Sequence, residues 1–404
     1  MNIRRTLSKI KDVKFHDYIS FFPMLAGAVL SVFFYKKYKD FWCICERKNE
    51  ARDNGYHFFK YMIENHPEQK SLYAIDKKSS DYRKIKDLGG EIIGFGSIQH
   101  WMAYFSGKYL ISSTGFKPNA YVCTLIERAG FFSPEHVFLQ HGITINKPEY
   151  LLSSMVKFKY FITATPQETL FVSNCLGHSD SVVKMCGFSR FDALHDFAPQ
   201  NGRILIMPTW RKWLKFKSEE HEDVACDFLS SEYTLMWKNL LTSPVLQCII
   251  EKNNLEIIFI PHPNMIGIIN PHIMVGNKIR VAEPDEDIQE LLKSSKLLIT
   301  DYSSVFFDMI YMKKPVIFYQ FDEDKFRKYH YEKGWFDYNK TNFGRKLTNP
   351  DDVISEIERL LEVDYQVGRE YIEEHKRVFT LYDCNNSERI YRLLLEQSRG
   401  DKRC

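Results

Sequence analysis

Residues 297–322 read LLITDYSSVFFDMIYMKKPVIFYQFD. Leu297–Thr300 is a short apolar run of the length of a buried strand. Asp301, Tyr302, Ser303 and Ser304 then place small polar side chains where a helix would begin. Residues 305–312 carry apolar side chains at helical spacing, Lys313, Lys314 and Pro315 stop that helix, and Val316–Tyr319 is the next strand. Strand, turn, helix and strand in this order make one unit of an open parallel sheet. Such sheets bind ligands at the carboxyl ends of their strands, beside helix amino termini. Free backbone N–H groups and the helix dipole favour an anion there. Ser303 and Ser304 add two hydroxyl donors, so the stretch reads as a phosphate cradle. The plainer alternative is an ordinary capped helix packed on a sheet.

The same alternation extends outward in both directions. Strands are predicted at residues 41–45, 72–75, 91–95, 109–112, 137–140, 159–163 and 182–186, with helices at 56–65, 79–87 and 99–105 between the earlier ones. Phe58, Phe59, Tyr61 and Met62 form the inner face of the first of these helices. A break follows near Pro199 and Gly202. Residues 203–207 start a second alternation, with a strand at 256–260. Residues 211–254 read as mostly helical, with a charged segment at 215–223 expected to be mobile. Asn349-Pro350 is a cap and first-turn signature for a helix at 351–361, and helical pattern persists to about residue 397. Strands alternating with helices imply βαβ units and parallel sheets. The expected class is α/β, with an amino-terminal segment at 1–40 and two similar halves at 41–200 and 201–404.

Composition sets outer limits. The chain has 404 residues, 44% hydrophobic and 26% charged, as for a protein of two or three packed domains. A net charge of +3 gives no argument for a nucleic-acid partner. The nine cysteines form no CxxC pair and no Cys/His spacing of the zinc kind, so free thiols in a reducing cytosol are expected and no metal is required. Residues 19–35, ISFFPMLAGAVLSVFFY, lack charge but fall short of the ~20 residues a membrane-spanning helix needs. Arg4, Arg5, Lys9, Lys11 and Lys14 precede the run, and Lys36, Lys37 and Lys39 follow it. A monotopic segment held to an anionic membrane surface fits this pattern; the alternative is a buried helix of the first domain.

Five polar clusters fall where strands are predicted to end: Gln140-His141-Gly142, Gly187-Phe188-Ser189-Arg190, Pro208-Thr209-Trp210-Arg211, Pro261-His262-Pro263 and Asp301-Tyr302-Ser303-Ser304. Each alone is weak, but together they line the ligand end of two sheets. Arg190 and Arg211 can hold phosphate oxygens bidentately. Gly142 lets backbone approach a ligand. His141 and His262 can serve as base, acid or hydrogen-bond donor. No Walker loop, GxGxxG or GxSxG occurs.

The elements QHGITINK, GFSRFD, MPTWR, the PHP at Pro261 and TDYSSVFFDMIYMKKPVIFY together resemble the CDP-glycerol glycerophosphotransferase family, which includes teichoic-acid and capsule polymerases. The resemblance covers roughly residues 41–394 and implies a GT-B architecture, two Rossmann-like halves facing a cleft. It implies that His141 is the catalytic base for an acceptor hydroxyl, and that Arg190, Thr209, His262, Ser303, Ser304 and Asp308 contact a CDP-glycerol or CDP-ribitol donor. The adjoining Gly142, Pro208, Arg211 and Pro261 complete the expected site, with His262 grouped beside His141 in catalysis. Asp308, more than a turn inside its helix, would hold a hydroxyl or orient another group; a helix-face carboxylate paired with a neighbour is the alternative. The implied acceptor is a lipid-linked glycan or polyol phosphate, the implied place the cytoplasmic face of the membrane, and a homo-oligomer is left open. Two departures stand out: Ile143-Thr144-Ile145-Asn146-Lys147 replaces the Thr-Pro-Leu-Lys-like continuation of the teichoic-acid members, and Asp383-Cys384 replaces a later Asp-Gly pair. A GT-B glycosyltransferase using a nucleotide sugar and a non-catalytic export scaffold are the rival readings.

Overall fold

A computed structural model describes residues 15–114, 117–197, 199, 202–214, 228, 230–262, 278–283 and 286–400. The expected segment at 215–223, Pro263 and the basic residues before Phe15 lie outside the described residues.

Two parallel sheets form the framework. The first holds β1 (Trp42–Cys45), β2 (Ser71–Ile75), β3 (Glu91–Gly94), β4 (Tyr109–Ser112), β5 (His136–Phe138), β6 (Tyr160–Thr163) and β7 (Val183–Met185), in the order 3-2-1-4-5-6-7. The second holds β8 (Arg203–Met207), β9 (Glu256–Phe259), β10 (Ile279–Val281), β11 (Leu297–Thr300), β12 (Val316–Tyr319) and β13 (Gly344–Leu347), in the order 10-9-8-11-12-13. Every pairing is parallel. Each sheet is covered on both faces, which is why β1, β2 and β11 are continuous apolar runs without alternation. This is the expected α/β fold of two Rossmann-like units.

Helices supply the cover. They include α1 (Phe15–Phe33), α2 (Asn54–Asn65), α3 (Ile98–Ser106), α4 (Pro166–Leu176), α5 (Phe306–Tyr311), α6 (Pro350–Glu362) and α7 (Asn386–Gly400). Caps set several of their starts: Ser97 accepts from His100 N–H, Thr165 from Glu168 N–H and Asn349 from Asp352 N–H. The expected cap at Asp301–Ser304 differs. Here α5 begins only at Phe306, and Ser303 Oγ accepts the Val305 N–H at 3.3 Å.

The expected boundaries need two corrections. First, α7 does not stay with the second half. Ile390, Tyr391 and Leu394 enter the core of the first sheet, and Tyr109 donates its hydroxyl to the Leu394 carbonyl. Second, α1 is not a separate appendage. It packs along α3, so closely that a Cβ added at Gly27 would lie 2.4 Å from Trp101 Cβ. Its opposite face remains apolar and open, with Phe22 and Val32 each 75% exposed. No helix among the described residues is long and apolar enough to cross a membrane.

The halves touch through several polar bridges. Trp335 Nε1 donates to the Thr144 carbonyl (2.8 Å) and Arg327 to Asn146 Oδ1 (2.8 Å). Gln289 donates to the Arg190 carbonyl (2.9 Å), and Lys84 pairs with Asp287 (3.2 Å).

Candidate active site

The predicted clusters do lie just past the carboxyl ends of their strands, β5, β7, β8, β9 and β11. They divide into a group that meets at the junction of the halves and a group buried beneath it.

His141 and Gly142 follow β5 on a backbone held under strain. Gln140 has φ +62°, in the left-handed region that a glutamine seldom adopts. Its buried side chain explains the tolerance: the amide donates to the Ile162 carbonyl (2.6 Å) and to Glu168 (3.0 Å), and its oxygen accepts from Thr144 Oγ1 (2.5 Å). Glu168, on α4, also accepts the N–H groups of Thr144 (2.6 Å) and Ala164 (2.8 Å). Burial pushes the Glu168 carboxyl up to about 7. The result is a fixed loop with the His141 side chain 70% exposed at its tip. His141 Nδ1 lies 2.6 Å from Asp53 Oδ2.

Gly142 sits against the second half. A Cβ there would come 2.8 Å from Ser304 Oγ and 3.9 Å from Arg190 Nη2. The His-Gly loop of one half and the Ser303-Ser304 turn of the other therefore close on each other.

Arg190, after β7, is nearly buried, and four of its five N–H donors are spent within the protein. Its Nε and Nη2 grip Asp308 at 2.8 Å each, and Nη1 reaches Asp53 (3.1 Å) and the His141 carbonyl (2.8 Å). Asp308 is thus the paired, orienting carboxylate rather than one open to a ligand.

The second group corrects an expectation. Arg211 has no exposed side-chain surface. Its guanidinium pairs with Asp301 (2.8 Å), with both oxygens of Asp322 (2.7 and 2.9 Å) and with the Thr209 carbonyl (2.6 Å). It ties the loops after β8, β11 and β12 together and offers nothing to a phosphate. Asp301 accepts the N–H groups of Thr209 (2.8 Å) and Tyr302 (2.6 Å). Pro208 and Pro261 are buried, while Thr209, Ser303 and Ser304 stay partly exposed. His262 is partly exposed, its ring 5.8 Å from that of Trp210. Burial, with Arg47 and His141 nearby, pulls His262 down to about 4, so it is neutral at pH 7.

Sequence reading missed Asp53, Asn54, Glu46 and Glu168. Asp53 caps α2 by accepting the Asn54 N–H (2.8 Å). The buried Asn54 donates to the Gln140 carbonyl (2.8 Å) and accepts the Arg190 N–H (3.1 Å), joining three loops. Glu46 accepts the N–H groups of Arg52 (2.9 Å), Asp53 (3.1 Å) and Tyr56 (2.6 Å), and burial pushes it up to about 8. The one local signal was Asp53-Asn54 just before an apolar helical run, a cap pattern that says nothing of a site.

The family described as CDP-Glycerol:Poly(glycerophosphate) glycerophosphotransferase matches residues 28–396. The chain belongs to this family. Among the family's curated relatives, the minor teichoic acid biosynthesis protein GgaB of Bacillus subtilis (strain 168) is 31% identical over 383 residues, covering 92% of this chain and 41% of GgaB. The teichoic acid glycerol-phosphate transferase of Staphylococcus aureus (strain NCTC 8325 / PS 47) is 25% identical over 244 residues, covering 58% of this chain and 59% of that protein. The chain thus spans about two-fifths of the first relative and about three-fifths of the second. Among solved structures, the wall teichoic acid polymerase TagF superposes with a TM-score of 0.65 at 16% identity, covering 96% of this chain and all of the TagF chain. A UDP-N-acetylglucosamine 2-epimerase from Listeria monocytogenes superposes with a TM-score of 0.53 at 15% identity, covering 87% of this chain and 95% of that chain. These likenesses bear on the fold, and both agree with the two-sheet GT-B arrangement.

Proposed function

We propose that this family member transfers a polyol phosphate from a CDP-polyol to a hydroxyl of a teichoic-type or capsule polymer and releases CMP. The observation that carries the reading is the contact of Gly142 with Ser304, which brings an exposed histidine from one half against the hydroxyl-bearing turn of the other. One phosphorus atom can then be addressed from both sides.

In this reading the acceptor hydroxyl gives its proton to His141 Nε2 as its oxygen attacks the phosphorus that bears the polyol. A new P–O bond forms, the bond to the CMP phosphate breaks, and CMP leaves with the bonding pair. Ser303, Ser304 and the remaining Arg190 N–H stand where charge on that phosphate would develop, while the Thr209 hydroxyl is buried beside Asp301. His262, being neutral, acts by donating an N–H rather than as a cationic acid. The second half would hold the donor and the first half the acceptor. Glycerol phosphate is the default polyol and ribitol phosphate its rival; the chemistry needs no cofactor beyond the donor.

We further read α1 as the attachment to an anionic membrane surface at the cytoplasmic face, where a lipid-linked acceptor would be met. Phe22, Leu25, Val29, Val32 and Phe33 form its open apolar face, with Lys36, Lys37 and Lys39 exposed at its end. Because the inner face packs on α3, deleting the helix would uncover Trp101. The better test replaces Phe22, Leu25 and Val32 by serine: folding should be kept and flotation with anionic vesicles lost.

The test of activity is CMP release by the purified protein with CDP-glycerol and CDP-ribitol in parallel, a lipid-linked polyol-phosphate acceptor and a His141→Ala control. CMP from one donor, lost in the variant, is expected. Turnover with a nucleotide sugar alone would overturn the reading.

A further inference from the structure

The polar loop before α2 reaches the site through one carboxylate. Asp53 Oδ2 is 2.6 Å from His141 Nδ1, and Asp53 Oδ1 accepts from Arg190 Nη1 at 3.1 Å. The two oxygens have separate partners, so the carboxylate cannot rotate without losing one of them. Its backbone is pinned as well: Glu46 accepts the Asp53 N–H, and neighbouring Arg52 is anchored to Asp81 at 2.7 and 3.0 Å. A carboxylate accepts hydrogen bonds only. His141 must therefore carry a proton on Nδ1, and in the neutral ring this leaves the lone pair on Nε2.

We propose that Asp53 is the positioning residue of the reaction, fixing His141 in the one tautomer and orientation in which Nε2 can take a proton from the acceptor hydroxyl. This rests on the reading of His141 as the base. The role explains why a 70% exposed ring, free to turn on its own, has a set direction. It also gives Arg190 a purpose other than phosphate binding: shared between Asp308 and Asp53, it holds Asp53 charged. Arg190 and His141 outweigh burial and draw the Asp53 carboxyl below its ordinary value.

The arrangement predicts an inversion that ordinary structural damage would not produce. In Asp53→Asn, the amide oxygen must face the Arg190 N–H, which turns the NH₂ toward His141 Nδ1. The ring is then forced into the opposite tautomer, with its proton on Nε2 and no lone pair for the acceptor. A comparable wrong-tautomer change in a serine-protease triad costs about 10⁴-fold in kcat. Asp53→Ala leaves the ring free to choose, so it should retain more activity than Asp53→Asn, although alanine removes more of the side chain.

Among the described residues, the charged and titratable groups around this pair include Arg190 and His262 on the His141 side, and Glu46 and His57 on the Asp53 side. Among the described residues, none of these is shown bonding the ring; Asp53 is.

The experiment measures CMP release across pH for the wild type, Asp53→Asn, Asp53→Ala and His141→Ala. It adds nitrogen-15 NMR of the His141 ring and thermal melting of each variant. Expected are a kcat loss on the order of 10²–10⁴-fold in Asp53→Asn, a smaller loss in Asp53→Ala, an Nδ1-protonated ring in the wild type and an Nε2-protonated ring in Asp53→Asn. An unchanged ring tautomer, or alanine costing more than asparagine at equal folded fraction, overturns the proposal while His141 stays the base. Full activity in His141→Ala instead removes the base reading itself, and the two failures are told apart by that control.

Discussion

Arg190 and Asp308 join the two halves through a two-point ion pair, Nε to Oδ2 and Nη2 to Oδ1, each at 2.8 Å and each nearly out of water. Desolvating two charges roughly cancels their attraction, whereas removing one partner strands the other. Arg190→Ala should therefore cost about 3–5 kcal/mol of stability, and Asp308→Ala a similar amount. The double variant Arg190→Met with Asp308→Leu should recover most of that in urea titration yet stay inactive, because Asp53 and the His141 carbonyl lose the same guanidinium. A double variant as unstable as either single one would show that the pair itself, not the stranded charge, holds the halves.

Arg211 makes the opposite kind of test, because sequence reading placed it on the donor. Its guanidinium is enclosed by Asp301 and Asp322. Arg211→Ala should lose about 3–5 kcal/mol by leaving two buried carboxylates without a counter-charge. Arg211→Lys should recover only part, since an ammonium cannot reach both with fork geometry. The fraction that folds should keep its KM for the CDP-polyol. A raised KM with unchanged melting would restore the donor-binding role.

Gly142 is needed for space. Its φ is not among the positive ones, but an added methyl would meet Ser304 Oγ at 2.8 Å, while Ser304 Cβ lies 3.8 Å away. Gly142→Ala should lower the melting temperature by a few degrees, for a cost of about 1 kcal/mol. Adding Ser304→Ala removes the offending oxygen and should restore it. Additive losses in the double variant would place the strain elsewhere.

Stability should rise from acid to neutral pH and then level. Burial holds His57, His100, His136 and His330 down at about 3, and His262 and His375 at about 4. Below pH 6.5 the unfolded chain takes up protons that these folded rings refuse. Stability then falls on acidification, by up to about 1.4 kcal/mol per ring for each pH unit between 6.5 and the folded value. Glu46 and Glu168, raised to about 8 and 7, act with the other sign: folded, they hold protons that the unfolded chain has released, so stability declines as pH rises from 4.5 through those values. The rings outnumber the carboxylates below 6.5; above it the carboxylates are opposed by Lys314, which burial pulls down to about 7, so that the unfolded chain there binds a proton the folded lysine has released. Urea midpoints at pH 5, 7 and 8.5 should run low, high and about equally high, the Lys314 gain offsetting the carboxylate loss; a steep rise to 8.5 would remove the carboxylates from the account, and a steep fall would remove Lys314.

Much of this was readable along the chain, and the exceptions share a cause. Val316–Tyr319 and Leu297–Thr300 were placed to the residue, because a doubly covered parallel strand announces itself as an unbroken apolar run. The Asn349 cap was likewise a local matter. Arg211 was misjudged because its partners lie 90 and 111 positions away, and nothing near it records that they enclose it. Asp53 escaped notice for the same reason: it sits in a polar loop, 88 positions before the histidine it touches. Residue type announced charge, and only the fold decided whether that charge faced a ligand or another side chain. The return of α7 to the first sheet was hidden too, since an amphipathic helix does not say which of two apolar surfaces it will cover.

That return has a mechanical consequence. The chain passes between the halves twice, near residues 195–203 and again near 379–386, and the Asp192 carboxylate accepts the N–H groups of Asn386 and Ser387 at 2.9 Å beside both passages. A body hung from one strand can swivel in any direction. One hung from two strands pinned side by side turns about a single line, as a door does on its frame. Opening would then carry the Ser303-Ser304 turn away from Gly142 along one arc and return it along the same arc, so that each closure re-registers the two sides of the cleft.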